Sequence, residues 1–193
     1  MLKVSKKIHF TTNDKFCQYK LNKGMLEMVK ETNKNYKRIA VVGIGSDRST
    51  GDSFGPLVGH MLSRWSIFDF DVYGTITEPV HAKNLKETLD SIDHSNTLVI
   101  AVDASVGKPE NIGHIVLSNE PIKPGSGVGK DLPPVGDITL SGIVTFSGFM
   151  PLIMLQNTSL GLVYKMAEIA SNSIKHLLYK QQLQPKTSNN KVG

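Results

Sequence analysis

Runs and periods of apolar residues divide this chain into alternating strands and helices. Apolar or alternating runs typical of strands occupy residues 39–44, 69–75, 97–102, 112–117 and 138–145. Apolar residues recur at helical spacing in residues 20–31, 52–65, 82–92 and from 157 or 158 to about 181. Residues 148–156 are apolar but fit neither period, and residues 8–11 suggest only a short strand.

The order of these elements predicts an α/β fold with helices on both faces of a sheet. Right-handed crossovers place the second predicted strand on one side of the first and the third on the other. The connection from the third strand to the fourth is too short for a crossover helix, so the fourth should run antiparallel. We expect a three-layer sandwich around a mostly parallel five-stranded sheet, in the order second, first, third, then fifth and fourth.

The basic charge of the chain is concentrated at its N-terminus. Residues 1–38 contain 10 Lys and Arg against 3 acidic residues, a net charge of +7, and the remainder contains 12 against 14, a net charge of −2. A body without a basic excess is not expected to bind nucleic acid specifically. We predict a basic arm with one short helix at residues 1–37, a single domain at 38–183 and a disordered tail at 184–193, with the arm dispensable for folding.

Composition favours an intracellular protein with one core. The 193 residues are 39% hydrophobic, which is enough for one ordinary domain. The single cysteine, Cys17, excludes an internal disulfide and fits a reducing compartment. Neither a run of the ~20 apolar residues needed to span a membrane nor a signal-peptide core is recognisable, so we expect no membrane association.

Two aspartates follow the two strands that the predicted topology makes neighbours. Asp52 follows the first strand and a glycine-rich turn, and Asp103 follows the third strand directly. Ligands of open α/β sheets bind at this switch point, beyond the carboxyl ends of the strands. One crevice should therefore hold both carboxyl groups, which could work as an acid and a base or hold a divalent metal. Alternatively, Asp52 caps a helix and Asp103 bonds loop amides.

Two glycine-rich segments fail as nucleotide-binding motifs. After Gly43 and Gly45, Arg48 stands where a dinucleotide fingerprint needs its third glycine, and Asp52 would face the pyrophosphate. In residues 124–130, Pro124 replaces the first glycine of a phosphate loop. That long segment is either a flexible loop or a lid over a substrate.

The same residues carry a family resemblance. Residues 43–45 and 51–56 resemble the opening motif of the hydrogenase maturation endopeptidases and of the spore germination protease, and residues 102–104 resemble the motif that ends the third strand in both. Residues 122–129 are similar to a loop of the germination protease. Residues 137–142, with 152–157, resemble a smaller family described as sporulation proteins or spore proteases.

The resemblance implies a phosphorylase/hydrolase-like peptidase fold and a sporulation-associated endopeptidase. It also implies a place in the cytoplasm of the mother cell or forespore of a spore-forming bacterium. Asp52 and Asp103 match aspartates that are thought to be catalytic in the germination protease. In the hydrogenase peptidases the matching pair helps to bind nickel with a histidine after the fourth strand, but residues 120–136 contain no histidine. We therefore expect no cofactor, and His81 is the only histidine that we consider as a substitute metal ligand.

The predicted site joins this pair to residues of the two glycine-rich segments. Asp103 would act as general base on a water and Asp52 as acid or electrostatic partner, although the sequence leaves that division open. We expect a protein or peptide substrate, with small acid-soluble spore proteins as candidates. The alternatives are a degenerate peptidase that binds a peptide or spore component without cleavage, and a metal-dependent hydrolase. The residues expected to bind substrate are Gly45, Ser46, Ser53, Gly125, Ser126, Gly127 and Gly129.

Overall fold

Strands and helices alternate along most of the chain in a computed structural model that describes residues 5–124, 132–148 and 150–183. Within these ranges the strands are β1 (Lys7–Thr11), β2 (Arg38–Gly43), β3 (Asp71–Tyr73), β4 (Thr97–Gly107), β5 (His114–Ser118) and β6 (Ile138–Phe146). The α-helices are α1 (Cys17–Glu31), α2 (Phe54–Ser63), α3 (Leu85–Asp90), α4 (Pro151–Gln156) and α5 (Leu160–Gln182). Short 3₁₀ helices occupy Gly51–Ser53 and Pro109–Asn111.

The six described strands form one mixed sheet in the order β1-β5-β6-β4-β2-β3. The pairs β2/β3, β2/β4 and β4/β6 are parallel, whereas β5/β6 and β1/β5 are antiparallel. The expectation of a mostly parallel sheet of five strands is therefore wrong. The short strand suggested at residues 8–11 is β1, which was not expected to join the sheet, because its partner β5 lies about a hundred residues further along the chain.

Successive residues of the central strands point to opposite faces of the sheet, as the pleat requires. Along β4, Leu98, Ile100 and Val102 belong to a buried cluster with α1, α2 and α5. Val99 and Ala101 belong to a second buried cluster with α3. Both faces of β4 are therefore covered, which explains why residues 97–102 read as a continuous apolar run.

The N-terminal segment is part of this structure, so the prediction of a separate basic arm is wrong. β1 pairs with β5 from Lys7 against Ser118 to Thr11 against His114. The side chains of Leu21 and Met25 on α1 are fully buried in the cluster that covers the sheet. The high lysine count suggested a solvated arm. An amphipathic helix, however, carries its charges on the face opposite its apolar stripe, so a basic helix can still pack against the core.

Three further sequence predictions are refined or fall outside the described residues. The apolar residues 148–156, left unassigned above, include helix α4. The glycine-rich residues 125–131 and the predicted disordered tail at 184–193 are not among the described residues. Within the described part of the chain, none of the helices combines the length and apolarity that crossing a membrane requires.

Burial of α1 predicts that its apolar face contributes to the stability of the whole domain. Leu21→Ala should lower the free energy of unfolding by about 2–5 kcal/mol, because it removes a fully buried side chain and leaves a cavity. Tyr19→Ala on the same helix is the control, because the Tyr19 side chain is 68% exposed. Urea unfolding measures both. Equal midpoints for the two variants, or an unchanged transition after removal of residues 1–37, would contradict the packing described here.

Candidate functional site

A pocket of about 160 Å³ opens where the carboxyl ends of β2 and β4 meet. It contains both predicted aspartates, Asp52 and Asp103, which lie on different segments of the chain. The connection after β3, both described ends of the glycine-rich loop and helix α4 complete its wall. The lining residues are Ile44, Gly45, Ser49, Asp52, His81, Ala82, Asp103, Pro124, Leu132, Leu152, Leu155 and Gln156.

The turn after β2 places Asp52 at the mouth of the pocket. Gly45 has a φ of +140°, a conformation that residues with a side chain rarely adopt. A Cβ atom at Gly45 would lie 2.0 Å from the carbonyl oxygen of Asp52, so a larger residue would collide with the backbone. The backbone N–H of Ser46 donates to that same carbonyl oxygen at 3.1 Å. The glycine therefore lets the turn close directly over the backbone of Asp52.

The start of α2 is packed against the backbone of β2. A Cβ atom at Gly43 would lie 2.4 Å from the carbonyl oxygen of Gly55, and one at Gly55 would lie 2.2 Å from the carbonyl oxygen of Ile44. These distances leave no room for any side chain between the strand and the first turn of the helix. Because Asp52 immediately precedes α2, this close packing fixes its position relative to the sheet.

The carboxyl group of Asp103 is held in an environment that disfavours its charge. Burial raises the pKa of Asp103 well above the usual range for aspartate, and the negative charge of Asp52 raises it further. A hydrogen bond from the backbone N–H of Ala104 opposes these effects but is the smallest of the three. The carboxyl group of Asp103 therefore holds its proton more tightly than that of an ordinary aspartate, because its pKa is raised.

Two polar side chains of the pocket lining have buried atoms without a hydrogen-bond partner among the described residues. They are Nδ1 of His81 and Oγ of Ser49. The backbone of His81 is fixed at the entrance to α3, where its N–H donates to Oδ1 of Asn84 at 2.8 Å. His81 was a candidate from the sequence, whereas Ser49 was not predicted, because its only sequence signal is its position in the turn between β2 and Asp52.

The other predicted substrate-binding residues divide into three groups. Gly45 lines the pocket, as described above. Ser46 and Ser53 are not among the described lining residues, because their side chains serve the local backbone. Oγ of Ser46 accepts from the backbone N–H of Arg48 at 3.2 Å, and the buried Ser53 hydroxyl donates to the carbonyl oxygen of Thr50 at 2.6 Å. Gly125, Ser126, Gly127 and Gly129 lie outside the described residues.

One wall of the pocket is apolar and was not foreseen from the sequence. Leu152 and Leu155 of α4 line it, together with Gln156. Leu152 is 61% exposed, so this wall continues onto the open surface of the molecule. Sequence periodicity could not assign α4, because a six-residue helix is too short to show a clear repeat.

The described residues contain no group of three or more His, Cys, Asp or Glu side chains placed to hold a metal ion.

Comparison with known proteins identifies the chain's relatives. The family described as "Protein of unknown function (DUF1256)" matches residues 9–173. A protein of Bacillus subtilis (strain 168), described as "Uncharacterized protein YyaC", is 50% identical over 140 residues, which are 72% of this chain and 68% of that protein. The crystal structure of a NiFe hydrogenase maturation protease, HycI from Thermococcus kodakarensis KOD1, is similar with a TM-score of 0.47 and 18% identity, covering 76% of this chain and 98% of that one.

The raised pKa of Asp103 predicts a specific dependence of stability on pH. The folded chain holds this proton more tightly than the unfolded chain, so stability is complete below the ordinary aspartate pKa and falls as pH rises through the raised one. Each unit of elevation corresponds to ~1.4 kcal/mol of stability lost above the raised value. Asp103→Asn should remove this loss and be more stable than the wild type at high pH.

Thermal unfolding across pH measures the effect as the difference between wild type and variant. Asp47→Asn, at an exposed position in the turn that precedes Asp52, is the control. Parallel stability curves for the wild type and Asp103→Asn would show that the environment of Asp103 does not disfavour its charge.

Proposed function

This chain belongs to the DUF1256 family, and we propose that it is an endopeptidase-like hydrolase in which Asp52 and Asp103 attack a peptide bond through a water molecule. One observation carries the proposal. Asp52 and Asp103 line one pocket at the carboxyl ends of β2 and β4, where burial and the charge of Asp52 raise the pKa of Asp103. A carboxylic acid next to a carboxylate is the arrangement that general acid–base hydrolysis requires.

The direction of the pKa shift of Asp103 supports one division of the two roles that the sequence left open. Asp52, as the carboxylate, takes a proton from water while the water oxygen attacks the peptide carbonyl carbon. Asp103, as the acid, gives its proton to the carbonyl oxygen. This division reverses the one favoured in the sequence analysis, because the pKa of Asp103 is raised by burial and by its neighbour's charge.

Collapse of the tetrahedral intermediate restores both groups. The C–N bond breaks, the leaving nitrogen takes the proton that Asp52 received from water, and the hydroxyl formed on the former carbonyl oxygen returns a proton to Asp103. One water is consumed, and a carboxylic acid and an amine are released. No change in the charge of the pair accumulates over the cycle, so the pocket needs no other proton acceptor.

Two other features of the pocket support a peptide as the substrate. Oγ of Ser49 and Nδ1 of His81 lack partners among the described residues, and a peptide group offers both donors and acceptors. The apolar wall formed by Leu152 and Leu155 can accept a substrate side chain. In this proposal the polar atoms orient the backbone of the substrate, and the wall contributes to selectivity.

The biological setting is proposed from the motif resemblance described above. We propose that the protein acts in sporulation, in the cytoplasm of the mother cell or forespore, and that its substrates include small acid-soluble spore proteins. Incubation of the purified chain with such proteins, followed by mass spectrometry of the fragments, tests this setting. If the spore proteins bind but remain intact, the degenerate peptidase becomes the better description.

Replacing either aspartate should abolish cleavage and leave the fold intact. We expect Asp52→Asn and Asp103→Asn each to lower kcat/KM by about 10²–10⁴, the usual contribution of a positioned acid or base. Asp47→Asn again serves as the control, since Asp47 is exposed and is not among the described lining residues. Undiminished cleavage by either pocket variant would rule out the aspartate pair.

Removal of metal ions separates this mechanism from the metal-dependent alternative. We expect a chelator followed by dialysis to leave the cleavage rate within about twofold, because the proposed acid and base are both supplied by aspartates. The rate is measured before treatment, after treatment and after adding back zinc, nickel or magnesium. A loss of activity that one of these ions restores would favour the metal-dependent hydrolase.

A further inference from the structure

Strand β4 extends well past the end of its neighbour β2. β4 runs from Thr97 to Gly107, whereas the last residue of β2, Gly43, pairs with Val102. On its other side, β4 remains paired with β6 as far as Gly107 against Phe146. Residues 103–107, called the overhang below, therefore have β6 on one side only. On the other side is the space that β2 would occupy if the strand continued, called the vacated path below.

The direction of the backbone groups along the overhang follows from two hydrogen bonds. The carbonyl oxygen of Val102 accepts from Ile44 N–H at 2.7 Å, so Val102 is turned toward β2. The carbonyl oxygen of Gly107 accepts from Ser147 N–H at 2.8 Å, on the side of β6. Alternate residues of a strand between parallel neighbours turn to opposite sides. The register between β4 and β6 shifts after Ser105, but the residue that is skipped, Val144, lies on β6. The opposite directions of Val102 and Gly107 agree with unbroken alternation along β4, so Ala104 and Val106 face the vacated path.

By this alternation, three backbone groups point toward the vacated path: the carbonyl groups of Ala104 and Val106 and the N–H of Val106. None of them takes part in the described backbone hydrogen bonds of turns, loops and caps, and β2 ends before it reaches them. The N–H of Ala104 is engaged by the Asp103 carboxyl group. Residues 103–107 are partly buried, whereas residues 97–102 of the same strand are all buried, so the strand becomes less enclosed beyond the end of β2. Folded proteins usually protect such edges, because unpaired strand groups attract another strand.

The vacated path leads directly into the pocket. Asp103 is both the first residue of the overhang and a lining residue. On the opposite side of the path, His81 and Ala82 line the same pocket, just after the bridge between Val80 and Ile44. A chain entering here would take the place that β2 would fill if it continued, between β4 and the segment that follows β3.

We propose that the overhang is a docking edge for an extended polypeptide segment, which adds to the sheet beside Ala104 and Val106. The proposal rests on the proposed function and deepens it by naming the substrate class. The main-chain hydrogen bonds hold the segment in extended form, a recurrent mode of peptide recognition. The segment then passes the carboxyl groups of Asp103 and Asp52 with its backbone exposed.

The shape of the gap argues for a single extended segment as the occupant. The overhang is five residues long, or about 17 Å at strand spacing. It lies inside the sheet order, between β4 and the residues after β3, so the edge of a second folded copy could not lie flat against it. Unfolded chains and loops meet this requirement, whereas folded domains do not. The substrate should therefore be an unfolded or locally unfolded protein.

Hydrogen exchange at Val106 tests the docking edge directly. The full chain carrying Asp52→Asn, which binds without cleaving, is mixed with reduced and carboxymethylated lactalbumin, a permanently unfolded polypeptide. We expect saturating probe to slow the exchange of the Val106 amide at least fivefold, and native lactalbumin to have no effect. Exchange that the unfolded probe does not slow would overturn the proposal.

The same measurement without probe examines other occupants. If the Val106 amide of the free chain is already protected, the edge is occupied by this chain or by a second copy. Protection that increases with protein concentration identifies the second copy. Either result would overturn the proposal of a docking edge for substrate.

A matched pair of variants connects the edge to cleavage. Val106→Pro removes the N–H that faces the vacated path, and proline is tolerated at an unpaired strand edge. Val106→Ala shortens the side chain and keeps the N–H. We expect the proline variant to lower kcat/KM for an unfolded substrate at least tenfold more than the alanine variant does. Equal losses would overturn the backbone pairing, and thermal unfolding confirms that both variants fold.

The failures of the two proposals are distinguishable. Protection of Val106 by the unfolded probe, with no cleavage by the wild type, supports the docking edge and rejects the peptidase. Cleavage that depends on both aspartates, with no protection of Val106, supports the peptidase and rejects the docking edge.

Discussion

The contact between the end of β2 and the first turn of α2 determines where Asp52 can lie relative to the sheet. At Gly43 and Gly55 the strand and helix backbones approach so closely that a Cβ atom on either residue would fall within 2.4 Å of a backbone oxygen. The helix therefore begins directly against the sheet. Asp52, one turn earlier, is held beside the strand that carries Asp103. Two carboxyl groups that would repel each other if both were ionised are thus kept in one pocket.

Holding the carboxyl group of Asp103 in this pocket lowers the free energy of unfolding at pH values above its raised pKa. Interactions elsewhere in the fold have to compensate for that loss. Burial and the charge of Asp52 both favour the protonated form of Asp103, so its ionisation is resisted at the point where chemistry is proposed. The offset is supplied by the two apolar clusters on the faces of the sheet. The N-terminal strand and helix enlarge one of these clusters. The basic segment therefore has a structural role that its net charge did not indicate.

Local sequence signals predicted the central strands of the sheet better than the elements at its periphery. The apolar run at 97–102 is typical of a buried strand, and the glycine-rich segment before Asp52 is typical of a turn. The switch point, and the position of both aspartates beside it, could therefore be predicted from the sequence. A short strand was suggested where β1 lies, but its place in the sheet could not be derived, because it depends on pairing with β5. The helix α1 was wrongly assigned to a separate arm, because lysines outnumber acids on its surface. Ser49 and the apolar wall of α4 were missed because their importance arises only from what the fold brings beside them.

The turn that follows β2 has two consequences. At Gly45, with a φ of +140°, the chain leaves the sheet and folds back over the carbonyl group of Asp52. This conformation places the carboxylate, and it also ends β2 while β4 continues for five more residues. A β2 that continued beside β4 would satisfy Ala104 and Val106 but would carry the chain past the point where Asp52 has to lie. The position of the aspartate pair and the unpaired edge beside it are thus two results of one glycine turn.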